Sequence, residues 1–427
     1  MIRPLYLAYF GFLVKLFFCQ SFATTVPLSV TTACPNVILI NGKSGKVLFE
    51  KNADALAFPA STTKIATCIY VLERGTPLLD MPIRASHEAL RSISPITKSH
   101  NNYEKYPSHW IETDSTHVGI KGGETLPLRD LLYALMLASG NDAANMLAEY
   151  CGGGSISEGV QELNAFMHGL GMKNTHFCNP SGLHHPKHVT TCRDMAILCK
   201  HAMQNPFFRE IVKTLHYTST GERIYVQKNK LLKKGAFYYP FATGIKTGYH
   251  SASRYTLAAA AEKDGRLLIC VLFNSDTRKE RFEDAIRLFV AAFQEKPVQK
   301  ICIPSGSLPF TKRFFGANTA LKTYCRAPLA YSYYPAEEPV FRAELSWNKV
   351  FPPIAKGQKV GHVVLYADNK PVHSIPIYAE QAVTYRWYRV LWLNMVKAGT
   401  NPFTWAILGA GLALGVFFFF PQRKKTK

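Results

Sequence analysis

Three short strings of the sequence hold residues whose types and spacing suit acyl transfer through a serine ester. Ser61-Thr62-Thr63-Lys64 places a hydroxyl and an amine three residues apart. Ser139-Gly140-Asn141 adds a second hydroxyl with a carboxamide, and Lys246-Thr247-Gly248 adds a cation beside a third hydroxyl. A serine hydroxyl is a weak nucleophile near neutral pH and needs a base within hydrogen-bond reach. The three strings, taken in this order, predict nucleophilic catalysis with Ser61 as the attacking residue.

Lys64 is the predicted base, because residues three apart on a helix project on the same side. The amine can accept a proton only if its pKa is low. Burial under an apolar helix face and the nearby charge of Lys246 would both lower that pKa. The start of the helix also directs backbone N–H groups toward Ser61, where they can hold a developing oxyanion.

The second and third strings supply the remaining groups that such a reaction needs. We expect Ser139 to relay a proton between the base and a leaving amine, and Asn141 to hydrogen-bond a peptide-like substrate. Lys246 and Thr247, on a strand edge, can bind a terminal carboxylate, and Gly248 allows a substrate backbone to approach closely. The implied substrate is a peptide with a free C-terminus.

The residues around the first string predict a hairpin followed by a helix. Two apolar runs, 37–41 and 46–50, flank the turn sequence Gly42-Lys43-Ser44-Gly45, which is a strong hairpin signal. Pro59 then opens a helical pattern of apolar residues. Ser61 is therefore expected in the first turn of that helix.

The other two strings are expected at a helix junction and on a strand. A helical pattern begins at Thr125 and stops at Ser139-Gly140, and Asp142 is placed to cap the next helix. Later runs predict three strands and a closing helix, at 244–248, 254–261, 266–273 and 285–293. Helices between two strand-rich ends favour an α/β domain in which an antiparallel sheet is flanked by helices.

A polar stretch, 86–123, separates the first two strings and is rich in Ser, His, Asn and Tyr. Its lack of periodicity predicts a long surface loop. A loop of this length is expected to border the substrate groove.

The ends of the chain predict export and membrane attachment. Residues 1–23 are typical of a signal peptide, with cleavage or retention left open. Residues 403–420 are uncharged and reach about 27 Å as a helix, which suits a transmembrane span. The basic tail 421–427 is expected in the cytoplasm by the positive-inside rule. The predicted order between these ends is a catalytic domain at 30–295, a small all-β domain at 297–380 and an amphipathic interfacial helix at 384–399.

The net charge and the cysteine and histidine patterns restrict the kinds of partner and metal site that the chain is expected to have. The formal net charge of +21 would suit a polyanion, but export argues against nucleic acid as a partner. The ten cysteines match no small disulfide scaffold or zinc site, so their pairing stays open. His184, His185 and His188 are interpreted as loop residues, because Pro186 breaks the helix that a metal-binding pair would need. No cofactor and no metal are expected.

With these motifs, the chain resembles the serine D-alanyl-D-alanine carboxypeptidases, the low-molecular-mass penicillin-binding proteins that trim bacterial peptidoglycan. The resemblance implies a β-lactamase/transpeptidase-like catalytic domain, a stem peptide ending in D-Ala-D-Ala as substrate and β-lactams as covalent inhibitors. It implies membrane lipid as a further partner and a position on the outer side of the bacterial inner membrane. The roles that the resemblance implies for the residues of the three strings match those given above. By the same resemblance, Arg281 corresponds to an arginine near the substrate carboxylate. A solvated arginine at a helix start is the alternative for Arg281. Tyr249 departs from the histidine found in many relatives.

Three alternatives to a carboxypeptidase stay open at this point. The same site can act as a transpeptidase or endopeptidase on the same peptides. A class A-like β-lactamase shares two strings but needs a glutamate before Leu163-Asn164, where Val160 stands. A non-catalytic peptidoglycan-binding protein of the envelope would usually lack Ser61 or Lys64, and both are present.

Overall fold

The computed structural model describes residues 28–74, 78–391 and 394. These residues form two compact units. One contains 28–74, 78–296 and 334–337, and the other contains 297–333, 338–391 and 394. The predicted signal peptide at 1–23, the span at 403–420 and the tail at 421–427 lie outside the described residues.

The first unit contains a five-stranded antiparallel sheet and most of the helices. Its strands are β1 (Asn36–Asn41), β2 (Val47–Lys51), β3 (Pro82–Arg84), β4 (Ser92–Ile93), β5 (Ile111–Glu112), β6 (Thr125–Pro127), β7 (His216–Thr218), β8 (Ile224–Val226), β9 (Ala242–His250), β10 (Arg254–Lys263) and β11 (Arg266–Ser275). Its helices are α1 (Lys64–Glu73), α2 (Pro95–His100), α3 (Leu128–Tyr133), α4 (Asn141–Cys151), α5 (Ile156–Gly169), α6 (Cys192–Ala202), α7 (Pro206–Lys213) and α8 (Glu280–Gln294). The main sheet has the order β2-β1-β11-β10-β9. The predicted hairpin, three later strands and closing helix are confirmed.

Both faces of this sheet are covered, as the alternation along β1 illustrates. Ile38 and Ile40 pack in a core with α1 and the other helices that precede β9. Val37 and Leu39 face the opposite core, to which α8 contributes Phe282 and Leu288 among others. Successive side chains of a strand point to opposite faces, so one strand anchors both cores. The expected α/β architecture on an antiparallel sheet is confirmed.

The helix expected from Thr125 begins three residues later than predicted. Residues Thr125–Pro127 form β6, which pairs with β3, and α3 starts at Leu128. The chain continues as a π-helical turn, Ala134–Ala138, that ends at Ser139. Backbone pairing of 125–127 thus outweighs the local helical pattern, because tertiary context overrides propensity.

The capping role predicted for Asp142 is wrong. Gly140 occupies the N-cap position of α4, and Asp142 lies inside the helix. Its carboxylate accepts hydrogen bonds from the backbone N–H groups of Val118 at 2.9 Å and Ile120 at 3.3 Å. Asp142 therefore fixes the end of the 86–123 segment to the start of α4.

The 86–123 segment is more ordered than a surface loop. It contains β4, α2 and β5, and β4 pairs in parallel with β5. The Lys98 side chain is fully buried, donates to the carbonyls of Ser108 and Trp110, and pairs with Glu112 at 3.3 Å. Charged residues are rarely buried without a partner, and this pair gives the polar segment an internal anchor.

The second unit is built from strands alone up to residue 379. Its strands are β12 (Val298–Ile303), β13 (Gly306–Lys312), β14 (Leu321–Cys325), β15 (Leu329–Tyr333), β16 (Phe341–Trp347), β17 (Lys359–Ala367) and β18 (Lys370–Ala379). Five of them form a sheet in the order β13-β14-β18-β17-β16, and β12 pairs with β15. Of the predicted interfacial helix at 384–399, residues 384–391 and 394 are described: 387–391 and 394 are helical, whereas 384–386 are not, and Tyr385 forms a β-bridge with Ala317.

Two further observations concern the predicted export of the chain. Within the described residues, no helix combines the length and apolar character needed to cross a bilayer. The nine cysteines among these residues are all free thiols. Cys68, Cys199 and Cys270 are completely buried, as expected for cysteines that act as small hydrophobic residues.

Candidate active site

Ser61 lies in a 3₁₀ turn, Ala60–Thr63, that leads directly into α1. The turn is held by its neighbours on both sides: the Thr62 hydroxyl donates to the Pro59 carbonyl at 2.7 Å, and Thr63 Oγ1 lies 2.9 Å from His188 Nε2. The predicted position of Ser61 at the start of a helix is confirmed. The nucleophile therefore sits on a rigid element rather than on a loop.

Lys64 is completely buried, and its amine has three oxygen neighbours. Nζ lies 2.7 Å from Asn141 Oδ1, 2.6 Å from the Ser181 carbonyl oxygen and 3.2 Å from Ser61 Oγ. A neutral amine has two N–H donors and one lone pair. The two carbonyl-type oxygens use both donors, so the lone pair is left for the hydroxyl proton of Ser61. This arrangement is the one that the predicted role of Lys64 as general base requires.

The surroundings of Lys64 favour the neutral amine. Burial lowers its pKa well below the ordinary lysine value, and the positive charges of Lys246 and Lys228 lower it further. Desolvation and like charges act in the same direction here, since each disfavours the ammonium form. Burial and the Lys246 charge are the two causes expected from the sequence.

The second string contributes one contact to each of the two lysines, Lys246 and Lys64. Ser139 has a left-handed backbone, with φ of 67°, at the junction before α4, and its Oγ accepts a hydrogen bond from Lys246 Nζ at 3.0 Å. Asn141 holds Lys64 through Oδ1, while its Nδ2 donates to Ser115 Oγ at 2.9 Å. Both polar ends of the Asn141 amide are thus engaged within the protein. Its observed contacts orient the base, whereas the sequence led us to expect a contact with substrate.

Lys246 lies at the centre of the site. Its side chain is 1% exposed, and Nζ also donates to the Thr247 carbonyl at 3.1 Å. Burial, together with the positive charges of Lys228 and Arg281, lowers the pKa of Lys246 to about 7. The third string, on β9, is therefore close to the first two, with its lysine directed inward at Ser139.

Gly248 allows β9 to lie close to the turn that carries Ser61. A Cβ atom at this position would lie 2.4 Å from Thr256 Oγ1 and 2.9 Å from the backbone nitrogen of Ser61. Such distances are too short for any side chain, so only glycine permits β9 to pack against the 3₁₀ turn. The expected close approach of a substrate backbone at Gly248 stays a prediction.

Arg281, at the start of α8, is buried and not solvated. Its Nη1 donates to the carbonyls of Gly248 and Thr256, both at 2.7 Å. Burial lowers its pKa to about 10, and the charge of Arg278 adds to this effect. The alternative of a solvated helix-start arginine is wrong, and Arg281 links α8 to the strand that carries Lys246.

A groove of about 460 Å³ opens in front of Ser61. One side consists of residues from the 86–123 segment, namely Pro95, Ile96, Ser99, Tyr103, Glu112, Asp114, Ser115 and Thr116. The other sides include Ser181–Leu183 and Tyr249–Ser251. The expectation that this segment borders the groove is confirmed, and the volume suits a short peptide.

The three histidines of the 184–188 loop have packing partners near the groove. His188 is buried beside Thr63, and its Nδ1 accepts the Cys178 backbone N–H at 3.1 Å. The His184 ring stacks on His250 at 5.0 Å between centroids, and burial lowers its pKa to about 4. Among the described residues, no cluster of three or more His, Cys, Asp or Glu side chains is arranged to hold a metal ion.

Sequence reasoning missed Ser115, Ser181 and Lys228. The first two contact Asn141 and Lys64 from distant loops, and no local pattern marks them. Lys228 stands in a basic run with Lys230, Lys233 and Lys234, a pattern that usually indicates a solvated face. Its charge nevertheless lowers the pKa of both Lys64 and Lys246, so it belongs to the electrostatics of the site.

We expect the Lys228→Gln variant to shift the pH dependence of acylation upward. The predicted base must be neutral to accept the Ser61 proton, so we expect acylation to rise with pH, and removal of a neighbouring positive charge raises the pKa of Lys64. The measurement is the rate of penicillin labelling from pH 5 to 10. Lys234→Gln, from the same basic cluster, is the matched control and should leave the profile in place. An unchanged profile in Lys228→Gln would refute the coupling.

Comparisons with known proteins cover most of the chain. A family model described as D-alanyl-D-alanine carboxypeptidase matches residues 21–277, and one described as penicillin-binding protein 5, C-terminal domain, matches residues 337–385. D-alanyl-D-alanine carboxypeptidase DacF of Bacillus subtilis is 27% identical over 355 residues, covering 81% of this chain and 85% of DacF.

Two solved structures show the same fold. D-alanyl-D-alanine carboxypeptidase DacD of Francisella tularensis has a TM-score of 0.58 at 22% identity, covering 86% of this chain and 98% of that one. The Streptomyces K15 DD-transpeptidase has a TM-score of 0.52 at 28% identity, covering 62% of this chain and 98% of that one. The likeness in fold therefore extends over most of the chain.

Proposed function

Because the chain belongs to the D-alanyl-D-alanine carboxypeptidase family, we propose that it removes the terminal D-alanine from peptidoglycan stem pentapeptides through an ester at Ser61. It is a serine peptidase and a hydrolase. The observation that carries the proposal is the contact between Ser61 and a buried Lys64 whose two donors are already used.

In the acylation step, Ser61 Oγ attacks the carbonyl of the penultimate D-alanine. The hydroxyl proton passes to Lys64 Nζ as the Oγ–C bond forms. The C–N bond then breaks, and the amine of the terminal D-alanine leaves with a proton. Ser139, which contacts Lys246 at 3.0 Å, can deliver that proton, and the ammonium of Lys64 is its source. The protein ends the step with its base regenerated.

The substrate carboxylate is assigned to the positive region around Lys246 and Thr247. Lys246 on β9 and Arg281 on α8 are both buried cations, and Arg281 donates to the carbonyl of Gly248 on the same strand as Lys246. A carboxylate arriving here compensates charges that burial disfavours, so it would hold the proton on Lys246. This supports a preference for a chain end over an internal peptide bond.

Hydrolysis of the ester regenerates the free enzyme, and the ester formed with a β-lactam should hydrolyse slowly. A class A-like β-lactamase would use a glutamate in place of Val160, which here is a buried residue of α5. Asn164 is engaged with the backbone of Phe177 on both its amide atoms. These side chains pack the protein core and present no carboxylate to a water at the ester. We therefore propose that penicillin inhibits by forming a persistent acyl-enzyme.

A second candidate, transpeptidation, is favoured by the similarity to the Streptomyces K15 DD-transpeptidase. The deciding experiment is the product spectrum from a synthetic pentapeptide with and without an acceptor amine. We expect tetrapeptide and free D-alanine in both cases. Aminolysis product with no tetrapeptide would instead assign the protein as a transpeptidase, and no D-alanine release would refute the proposal.

We place the enzyme at the bacterial inner membrane, with its catalytic unit outside the cytoplasm. The apolar 403–420 run followed by a basic tail supports this position. Peptidoglycan peptides lie on that side, so location and substrate agree. An alkaline-washed membrane fraction should retain the penicillin-labelled chain, and recovery in the soluble fraction would argue against attachment.

A further inference from the structure

Three segments of the second unit meet at one end of its five-stranded sheet. They are 312–318 after β13, 348–356 after β16 and 383–391 after β18, and together we call them the aromatic end. The Arg386 backbone N–H donates to the Gly316 carbonyl at 2.9 Å, and that of Ile354 donates to Val383 at 2.8 Å. These bonds make the three segments one surface.

Large apolar side chains of the aromatic end point into solvent. Phe315 is 82% exposed, Phe351 71% and Trp387 75%. Tyr388, Val390 and Leu391 are also exposed. Single exposed hydrophobic residues are common in soluble proteins, but a group of aromatic residues on adjoining segments marks an interaction surface.

The same surface is strongly basic. Its three segments contain six basic residues and no acidic one, the basic residues being Lys312, Arg313, Lys349, Lys356, Arg386 and Arg389. Two of these cations lie against aromatic rings. The Arg389 guanidinium is 4.7 Å from the centre of the Phe315 ring, and Lys312 Nζ is 5.4 Å from that of Phe314. Mixed aromatic and basic side chains suit the boundary between lipid tails and anionic headgroups.

We propose that the aromatic end rests in the headgroup layer of a bilayer, so that loops of the β unit attach to the membrane in addition to the C-terminal segment. Eleven residues, 392–402, separate the last residue of the aromatic end from the uncharged 403–420 run in the sequence. A linker this short keeps the surface near any bilayer that the run enters. The inference rests on the membrane attachment in the proposed function.

A second copy of the chain is a poorer occupant of the surface. A symmetric dimer through the aromatic end would bring six cations of one chain against six of the other. Like charges in contact are unfavourable without intervening acidic groups. Anionic lipid headgroups provide the missing negative charge.

The test is photo-crosslinking of the full chain in vesicles of phosphatidylethanolamine and phosphatidylglycerol. The photoreactive residue p-benzoylphenylalanine replaces Phe315 or Phe351, with Val340 as the matched control. Val340 is 43% exposed and precedes β16, at the opposite end of the same sheet. We expect lipid adducts at positions 315 and 351 to exceed those at 340 by at least about fivefold.

Two readouts separate this inference from the proposed function. D-alanine release and penicillin labelling are measured on the same vesicles, and flotation with the vesicles reports attachment. If the yields of lipid adduct at positions 315 and 351 only equal the yield at position 340, the inference is wrong even though activity and flotation remain. Chain-to-chain adducts in place of lipid adducts contradict it in the same way. If the wild-type protein does not float with the vesicles, both the membrane attachment and this inference are wrong. The peptidase assignment is then decided separately, by the D-alanine assay.

Discussion

The Ser61→Ala variant is expected to lose all covalent labelling by a fluorescent penicillin and about 10⁴-fold to 10⁶-fold of its D-alanine release. The reason is that the ester cannot form without Oγ, whatever the state of the base. Labelling is measured by gel fluorescence, and D-alanine by a coupled assay on the synthetic pentapeptide.

The chain offers a matched control for this variant. Ser346 stands three residues before Lys349, as Ser61 does before Lys64, but it lies on β16 of the other unit. Ser346→Ala should retain full labelling and release. Ser61→Ala should keep the thermal unfolding of the wild type, because only one side-chain contact, with Lys64, is lost. Persistent labelling of Ser61→Ala would assign the nucleophile to another residue.

The second large effect is expected for Lys64→Gln. Glutamine can still donate from its amide to Asn141 and to the Ser181 carbonyl, but it cannot accept the Ser61 proton. Acylation should fall by about 10³-fold or more. Its rate should also lose the rise with pH that Lys64 imposes on the wild type. A Lys64→Gln variant with wild-type acylation would refute general-base catalysis by this residue.

Thermal unfolding shows whether Lys64→Gln loses activity because the base is missing or because the protein is no longer folded. The folded pKa of Lys64 lies well below its unfolded value, so the unfolded chain binds more protons between the two values. The stability that Lys64 contributes is therefore present above its unfolded pKa and is lost as the pH falls toward its folded pKa. At neutral pH, Lys64→Gln should unfold at a temperature no lower than that of the wild type. Calorimetry at pH 7 and pH 9 measures the difference, which should be larger at pH 7.

The part of the site predicted from sequence is the part that depends on local spacing. Ser61 and Lys64 share one helical turn, and the junction at Ser139 and the strand at Lys246 each carry a clear local pattern. These patterns were sufficient to expect the order of the elements and the low pKa of the base. Their roles in catalysis stay predictions that the variants above address.

What sequence could not supply was the set of contacts between distant segments. The Ser181 carbonyl reaches Lys64 from 117 residues away, and backbone oxygens carry no residue-type signal. The internal ion pair of Lys98 with Glu112 was equally hidden, because charged residues in a polar segment usually face water. The packing of Gly248 against the backbone of Ser61 was hidden as well, because nothing local indicates that contact.

The fit of an inhibitor in the groove and the chemistry of acylation, which inhibitor design usually treats together, depend on different residues here because the 86–123 segment forms one wall of the groove. This segment lines one side of the groove, yet the proposed catalytic side chains all come from other segments, and its own anchor is the Lys98 pair. Substitutions at positions such as Ile96 or Tyr103 would change which bulky drug substituents fit while the acylation machinery stays intact. Resistance to one antibiotic could then arise in this wall at little cost to cell-wall trimming.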